Sequence, residues 1–198
     1  WRRDDMRPFL PPPPTHLPDS HVTVQVAIGD LPPPARNDEL PVDPLHRQTR
    51  LSQTNLERLK LIPPGGGMEN LPVEMRVNCH KAGAKKIGHR FVYGRLSPNA
   101  PAGTITARFD SFTRGKFAHP FEHRNITLRE GARLQTFPDN FAFVGNQEDI
   151  ACQIGNAVPP NLAEAIGSRA LEVICCSKAK VSLHAGGEQA QLIELVGA

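Results

Sequence analysis

Apolar positions along the chain fall in short clusters broken by Pro, Gly and charge, so that few clusters span two helical turns. From His21 to Leu31, Val22, Val24 and Val26 alternate as in a strand, whereas Ala27, Ile28 and Leu31 fit a helix. Periodicity leaves this run undecided, and Pro32-Pro33-Pro34 ends it either way. A clearer helix is expected at about 55–61, with Thr54 as cap, Glu57 reaching back three residues on, and Leu56 and Leu59 as its apolar edge. Pro63-Pro64-Gly65-Gly66-Gly67 stops that helix in a loop. Its glycines lack the Lys-Ser/Thr that completes a phosphate cradle, which leaves turn chemistry as their reading.

Between Val73 and Phe117 no helical period is present. Phe91-Val92-Tyr93 and Thr104-Ile105-Thr106 are short β-prone runs set among Gly, Pro and Asn, which predicts a small, irregular, loop-rich β region. Thr127-Leu128-Arg129-Glu130 then reads as a capping box opening a helix through Ala132, Leu134 and Gln135, with Phe137-Pro138-Asp139 ending it. Gln153 to Pro160 leads into a further helix at roughly 160–176. A proline suits its first turn, where no backbone N–H is needed, and Leu162, Ala165, Ile166 and Leu171 give it an apolar face. From Ser177 onward the pattern carries no information.

Composition changes this picture in three ways. Proline, at 20 of 198 residues, is about twice its ordinary ~5% share, and Pro11-Pro12-Pro13-Pro14 marks an extended lead-in. No apolar run approaches the ~18 residues of a membrane span, and four Cys without CxxC spacing favour a reducing cytosol over a disulfide or zinc framework. The net charge of only +3 conceals an asymmetry, because nine Lys and Arg between Arg76 and Lys116 face the single acid Asp110. Charge concentrated in this way calls for a polyanion, and phosphate backbones are the usual one; a solvated basic face is the plain alternative. Trp rather than Met at position 1 suggests a piece of something longer.

The run from Arg124 to Asp139 (RNITLREGARLQTFPD) and the run from Gln153 to Ala163 (QIGNAVPPNLA) resemble the last two motifs of the DNA cytosine-5 methyltransferases, in the family's order. Ala27-Ile28-Gly29-Asp30-Leu31-Pro32 resembles the segment after that family's strand-rich core. Tyr93-Gly94-Arg95-Leu96, Pro101 to Thr106 (PAGTIT) and His119-Pro120 resemble its target-recognition region. The resemblance covers about residues 8–170. It implies an α+β fragment: a small β-rich target-recognition domain plus terminal helices of an α/β S-adenosylmethionine-dependent methyltransferase fold. The expected divisions are a lead-in at 1–20, connecting helices at 21–62, target recognition at 63–123, the last two motifs at 124–176 packing on a catalytic lobe, and a tail at 177–198.

That family's glycine-rich cofactor loop and its Pro-Cys nucleophile have no counterpart in these residues. The family's chemistry permits such a division. A thiolate adds at cytosine C6 to make C5 nucleophilic, and the base first leaves the stack, so attack and duplex recognition belong to separate lobes. The resemblance therefore implies that this chain binds double-stranded DNA, completes the S-adenosyl-L-methionine site of a partner lobe, and is inactive alone. A stand-alone DNA-binding or regulatory remnant is the alternative. Restriction-modification is the expected context, in the cytoplasm at the nucleoid.

By the same resemblance, Asn156, Ala157 and Val158 contact the cofactor; read locally, Asn156 caps the following helix. Thr104, Ile105 and Thr106 support a phosphate of the target nucleotide; read locally, they form a plain strand. Arg95, Arg108, Arg114 and Lys116 are candidates for phosphate or guanine contacts. Arg129, Glu130 and Arg133 are expected to build an ion-pair network rather than touch DNA. Cys79 beside His80 is weighed as a nucleophile and set aside, since sequence neighbours project in different directions. His119-Pro120-Phe121-Glu122-His123 matches a zinc-peptidase pattern, but that chemistry needs a helix; no catalytic or metal residue is assigned.

Overall fold

The computed structural model describes residues 9–36, 39–77 and 91–184. They fall into two compact units, one formed by residues 15–160 and the other by residues 9–14 with 161–184.

In the first unit, Thr23 caps α1 (Val24–Ile28), its hydroxyl accepting from the Val26 N–H, which decides the ambiguous run in favour of helix. Helix α2 (Gln53–Lys60) starts earlier than expected. Ser52, not Thr54, is its cap, accepting from the Asn55 N–H, while Glu57 accepts from the Gln53 side chain instead of reaching back. Both Ser52 and Thr54 are good cap residues; the extended backbone at Ser52 selects it. The glycine loop is a turn, as expected, with Gly65 at φ +76°.

Neither β-prone run is itself a strand. The sheet is two short parallel strands, β1 (Gly94–Arg95) and β2 (Lys116–Ala118), beginning just after Phe91-Val92-Tyr93. Among the described residues Thr104-Ile105-Thr106 has no ladder partner, and it runs into a turn closed by the Phe109 N–H on the Thr106 carbonyl. β propensity favoured a strand there, but a strand requires a neighbour, and this segment has none among them.

Helix α3 (Leu128–Leu134) has the predicted capping box, and Gln135 is its C-cap. Helix α4 (Gln147–Asn156) was not anticipated. Asn146 caps it and Asp149 returns the bond, a box with Asp in place of Glu or Gln. Ile150, Ala151 and Ile154 form its buried face. Helix α5 (Pro160–His184), the main element of the other unit, runs past residue 176. No helix among the described residues is long and apolar enough to cross a membrane.

Two apolar clusters hold residues 15–160 together. The larger joins α1, α3 and α4 around Leu96, Ile105, Phe109, Phe117 and Ile126. The smaller gathers Leu59, Ile62, Met68, Leu71, Phe112 and Ala118. Neighbouring residues of β2 point to opposite faces, so Phe117 enters one cluster and Ala118 the other.

Candidate nucleic-acid interface

Buried charge fixes the frame. Arg124 makes a bidentate pair with Glu130, both bonds 2.8 Å, with side chains 3% and 2% exposed. A second pair of bonds reaches Glu122. Glu130 also accepts from the Thr127 N–H at 2.7 Å, and Thr127 Oγ1 lies 2.9 Å from His46 Nδ1. His46 Nε2 donates to the Pro32 carbonyl at 2.7 Å, since a carbonyl only accepts. Burial alone raises the Glu130 pKa, but the Arg124 bonds outweigh it and hold the carboxyl below its ordinary range. Burial likewise opposes the charge on Arg124, and its two glutamates more than offset that, leaving its pKa raised. Arg129 and Arg133 do form ion pairs, but apart from Glu130, which pairs with Arg124 instead: Arg129 meets Asp43, and Arg133 meets Asp30 and Asp139.

Arg95 requires a correction. It was expected to face a duplex, yet it is 2% exposed. Its guanidinium donates to the carbonyls of Ile62, Leu59, His119 and Glu122 at 2.7–2.8 Å. Burial lowers its pKa. A group satisfied in this way is a structural rivet between α2 and the loop after β2. In that loop, His119 Nδ1 accepts from the Glu122 N–H at 3.0 Å, and residues 120–124 form bends, not the helix a zinc site of that pattern needs.

The remaining DNA candidates separate into two groups. An open cleft of about 610 Å³ is lined by Thr104, Thr106, Arg114 and Lys116, with Phe91 and Gly65 beside them. Thr104, Thr106 and Arg114 are exposed, and the Arg114 guanidinium has no partner among the described residues. Lys116 is tethered: its ammonium donates to the Gly65 carbonyl at 2.8 Å and sits 5.8 Å from the Phe91 ring centroid. Ile105 points the other way, into the core at 4% exposure, and serves as anchor rather than contact. Arg108 lies outside the cleft lining, paired with Asp110 and Glu148. Cys79 and the other basic residues at 81–90 lie outside the described residues.

The cofactor candidates sit together at the end of α4. Asn156 is its last residue and Ala157 its C-cap, so Asn156 does not cap the following helix. Asn156 and Val158 are exposed, and the Asn156 amide has only a weak 3.5 Å contact to Cys152 Sγ. The turn thus presents an exposed carboxamide, with a donor and an acceptor, beside an exposed apolar side chain. Two residues given no role by sequence reasoning support this turn. Buried Gln135 donates from Nε2 to the carbonyls of Ile154 (3.0 Å) and Ala157 (3.4 Å). Gly155 lies against the backbone of Thr106 and Ala107, where an added Cβ would be 2.2–2.3 Å from main-chain atoms. Arg124 was likewise unassigned; its place at the head of the Arg124–Asp139 run was the only signal.

Residues 6–172 match the model of the C-5 cytosine-specific DNA methylases. Among relatives, the Type II methylase M.HgiDII of Herpetosiphon aurantiacus is 38% identical over 160 residues, 78% of this chain and 44% of that protein. The Type II methyltransferase M.BbvI of Brevibacillus brevis is 38% identical over 167 residues, 83% of this chain and 40% of that protein. DNA (cytosine-5)-methyltransferase 3 of Arabidopsis thaliana is 34% identical over 178 residues, 77% of this chain and 13% of that protein. The chain belongs to the C-5 cytosine-specific DNA methylase family. It spans less than half the length of these curated relatives. Their names do not favour the alternative of a binding module without an enzymatic role.

Proposed function

We propose that this chain is the C-terminal, duplex-reading portion of a DNA (cytosine-5-)-methyltransferase. Residues 63–123 are its target-recognition region, and the 156–158 turn completes the S-adenosyl-L-methionine site of a lobe that carries the Pro-Cys nucleophile. The observation that carries the reading is the cleft. It sets Thr104, Thr106, Arg114 and Lys116, all within thirteen residues of one another, against Gly65 and Phe91, and leaves the Arg114 cation free of partners among the described residues.

In this reading Arg114 neutralises a phosphate or meets guanine, the two Thr hydroxyls donate to phosphate oxygens, and Lys116 holds the cleft wall. S-adenosyl-L-methionine, when bound, supplies an electrophilic methyl group. Asn156 offers a donor and an acceptor to it, and Val158 an apolar edge. Helix α5 is consistent with docking on a further lobe, because Leu162, Ile166, Leu171 and Ile174 all remain substantially exposed.

The test is complementation. Methyl incorporation into duplex DNA is measured for this chain alone, and again with a family catalytic lobe carrying the glycine loop and Pro-Cys segment. No transfer alone and restored transfer in the mixture is the expected pair of results. Robust incorporation by the chain alone, or none in the mixture, overturns the reading.

A further inference from the structure

We infer that Gly155 and Gln135 are positioning residues that lock the 156–158 turn to the 104–107 segment, so that the cofactor-side and DNA-side elements cannot shift independently. The functional names of the two elements rest on the reading above; the mechanical lock does not.

The two residues hold the same turn through different neighbours, Gly155 against the backbone of 106–107 and Gln135 from the end of α3. Gly155 is in the last turn of α4, and a Cβ there would stand 2.2 Å from the Thr106 carbonyl carbon and oxygen and 2.3 Å from the Ala107 nitrogen. Real carbon contacts do not occur at such distances. The obstructing atoms are main chain, so no rotamer change relieves the clash. Only a glycine lets α4 lie this close to the segment bearing Thr104 and Thr106.

At the end of α4, carbonyls run short of intrahelical donors, and that of Ile154 has only the Ala157 N–H at 3.3 Å. Gln135 supplies another donor, its Nε2 meeting the Ile154 and Ala157 carbonyls from a side chain that is 8% exposed. Between the glycine contact and the amide clamp, Asn156 and Val158 are left facing solvent. Among the described residues the 104–107 segment has no strand partner, and its packing on Gly155 and the insertion of Ile105 into the core help to hold it.

Amide hydrogen exchange on this chain tests the lock without any catalytic readout. Two amides report the two sides: Ala157, bonded to Ile154, and Phe109, bonded to the Thr106 carbonyl. The Gln48 amide, bonded to Ala35, serves as a reference far along the chain. Gln135→Met, which keeps volume and removes the donor, is expected to speed exchange at Ala157 and Phe109 together by about tenfold while Gln48 is unchanged. Gly155→Ala is expected to do the same more strongly, and Gln135→Met decides the matter if that variant does not fold. Gly167→Ala, with open space around its Cβ position, should change none of the three. Acceleration at Ala157 alone, or equal acceleration at all three amides, overturns the lock. Duplex affinity by fluorescence anisotropy addresses the functional names separately: unaltered exchange coupling with no duplex binding by the parent chain sinks the reading of the cleft and leaves the lock standing.

Discussion

Two neighbourhoods of the molecule use arginine in opposite ways. Around Arg95 and Arg124 every guanidinium bond is made inside the protein, to five carbonyls and the His123 ring nitrogen in one case and to two glutamates and a carbonyl in the other. Around the cleft, Arg114 stays exposed with no partner among the described residues, and Lys116 is held only by one carbonyl and a ring. A count of basic residues treats all of these as equivalent, although charge held by internal partners adds little to a field that attracts phosphate. Availability, not abundance, marks an interface, and availability depends on what the fold brings alongside each cation.

Substitutions should separate the two neighbourhoods sharply. The largest effect is expected for Arg124→Ala, which leaves Glu130 buried without its partner and should cost about 3–5 kcal/mol in urea unfolding. A loss below about 1 kcal/mol would break the contrast at its strongest point. Arg95→Met takes the side-chain donor from the carbonyls of Ile62, His119 and Glu122, while that of Leu59 keeps the Ile62 N–H; about 3 kcal/mol is expected, since each unsatisfied buried acceptor costs roughly 1–3 kcal/mol before relaxation. Its duplex binding, measured on the folded fraction, should keep the parent's salt dependence.

Arg114→Ala should behave in the reverse manner. Stability stays within about 0.5 kcal/mol, while duplex affinity falls roughly three- to tenfold and the slope of log K against log salt drops by about 1. An unchanged slope would mean that Arg114 does not meet a phosphate.

The smallest and most gradual effect is that of pH on stability. Burial first, then the Arg124 charge, depresses the His119 pKa below 6.5, and Nδ1 is already occupied in accepting two backbone N–H bonds. The unfolded chain therefore takes up a proton more readily than the folded one, and stability is expected to decline as pH falls below 6.5. Glu122 and Glu130 both have pKa values below their ordinary 4.5, so a second, steeper decline is expected below that pH. Thermal unfolding followed from pH 8 to pH 3 checks both; a midpoint that does not move below pH 4.5 contradicts the ion-pair account.

Much of this was legible locally. The Thr127–Glu130 box, the glycine turn after α2 and the proline at the start of α5 each depend on residues within one turn of one another, and each is found where the pattern put it. The same logic would have found α4, had Asn146-x-x-Asp149 been given the weight of a box with Glu or Gln. The two motif runs were enough to place the chain in its family, and the structure added nothing to that assignment.

What the sequence could not determine was the destination of each side chain. Arg95 and Arg114 have the same chemistry and lie in the same basic stretch, yet one is sealed against five carbonyls and the other faces an open cleft. Thr104-Ile105-Thr106 has strand composition, but no strand forms without a neighbour to complete its ladder. Caps and turns are settled by bonds between near neighbours, which a one-dimensional string displays. Burial, pairing and the approach of Gly155 to Thr106 are contacts between residues far apart in the chain, and only the packed structure brings such residues together.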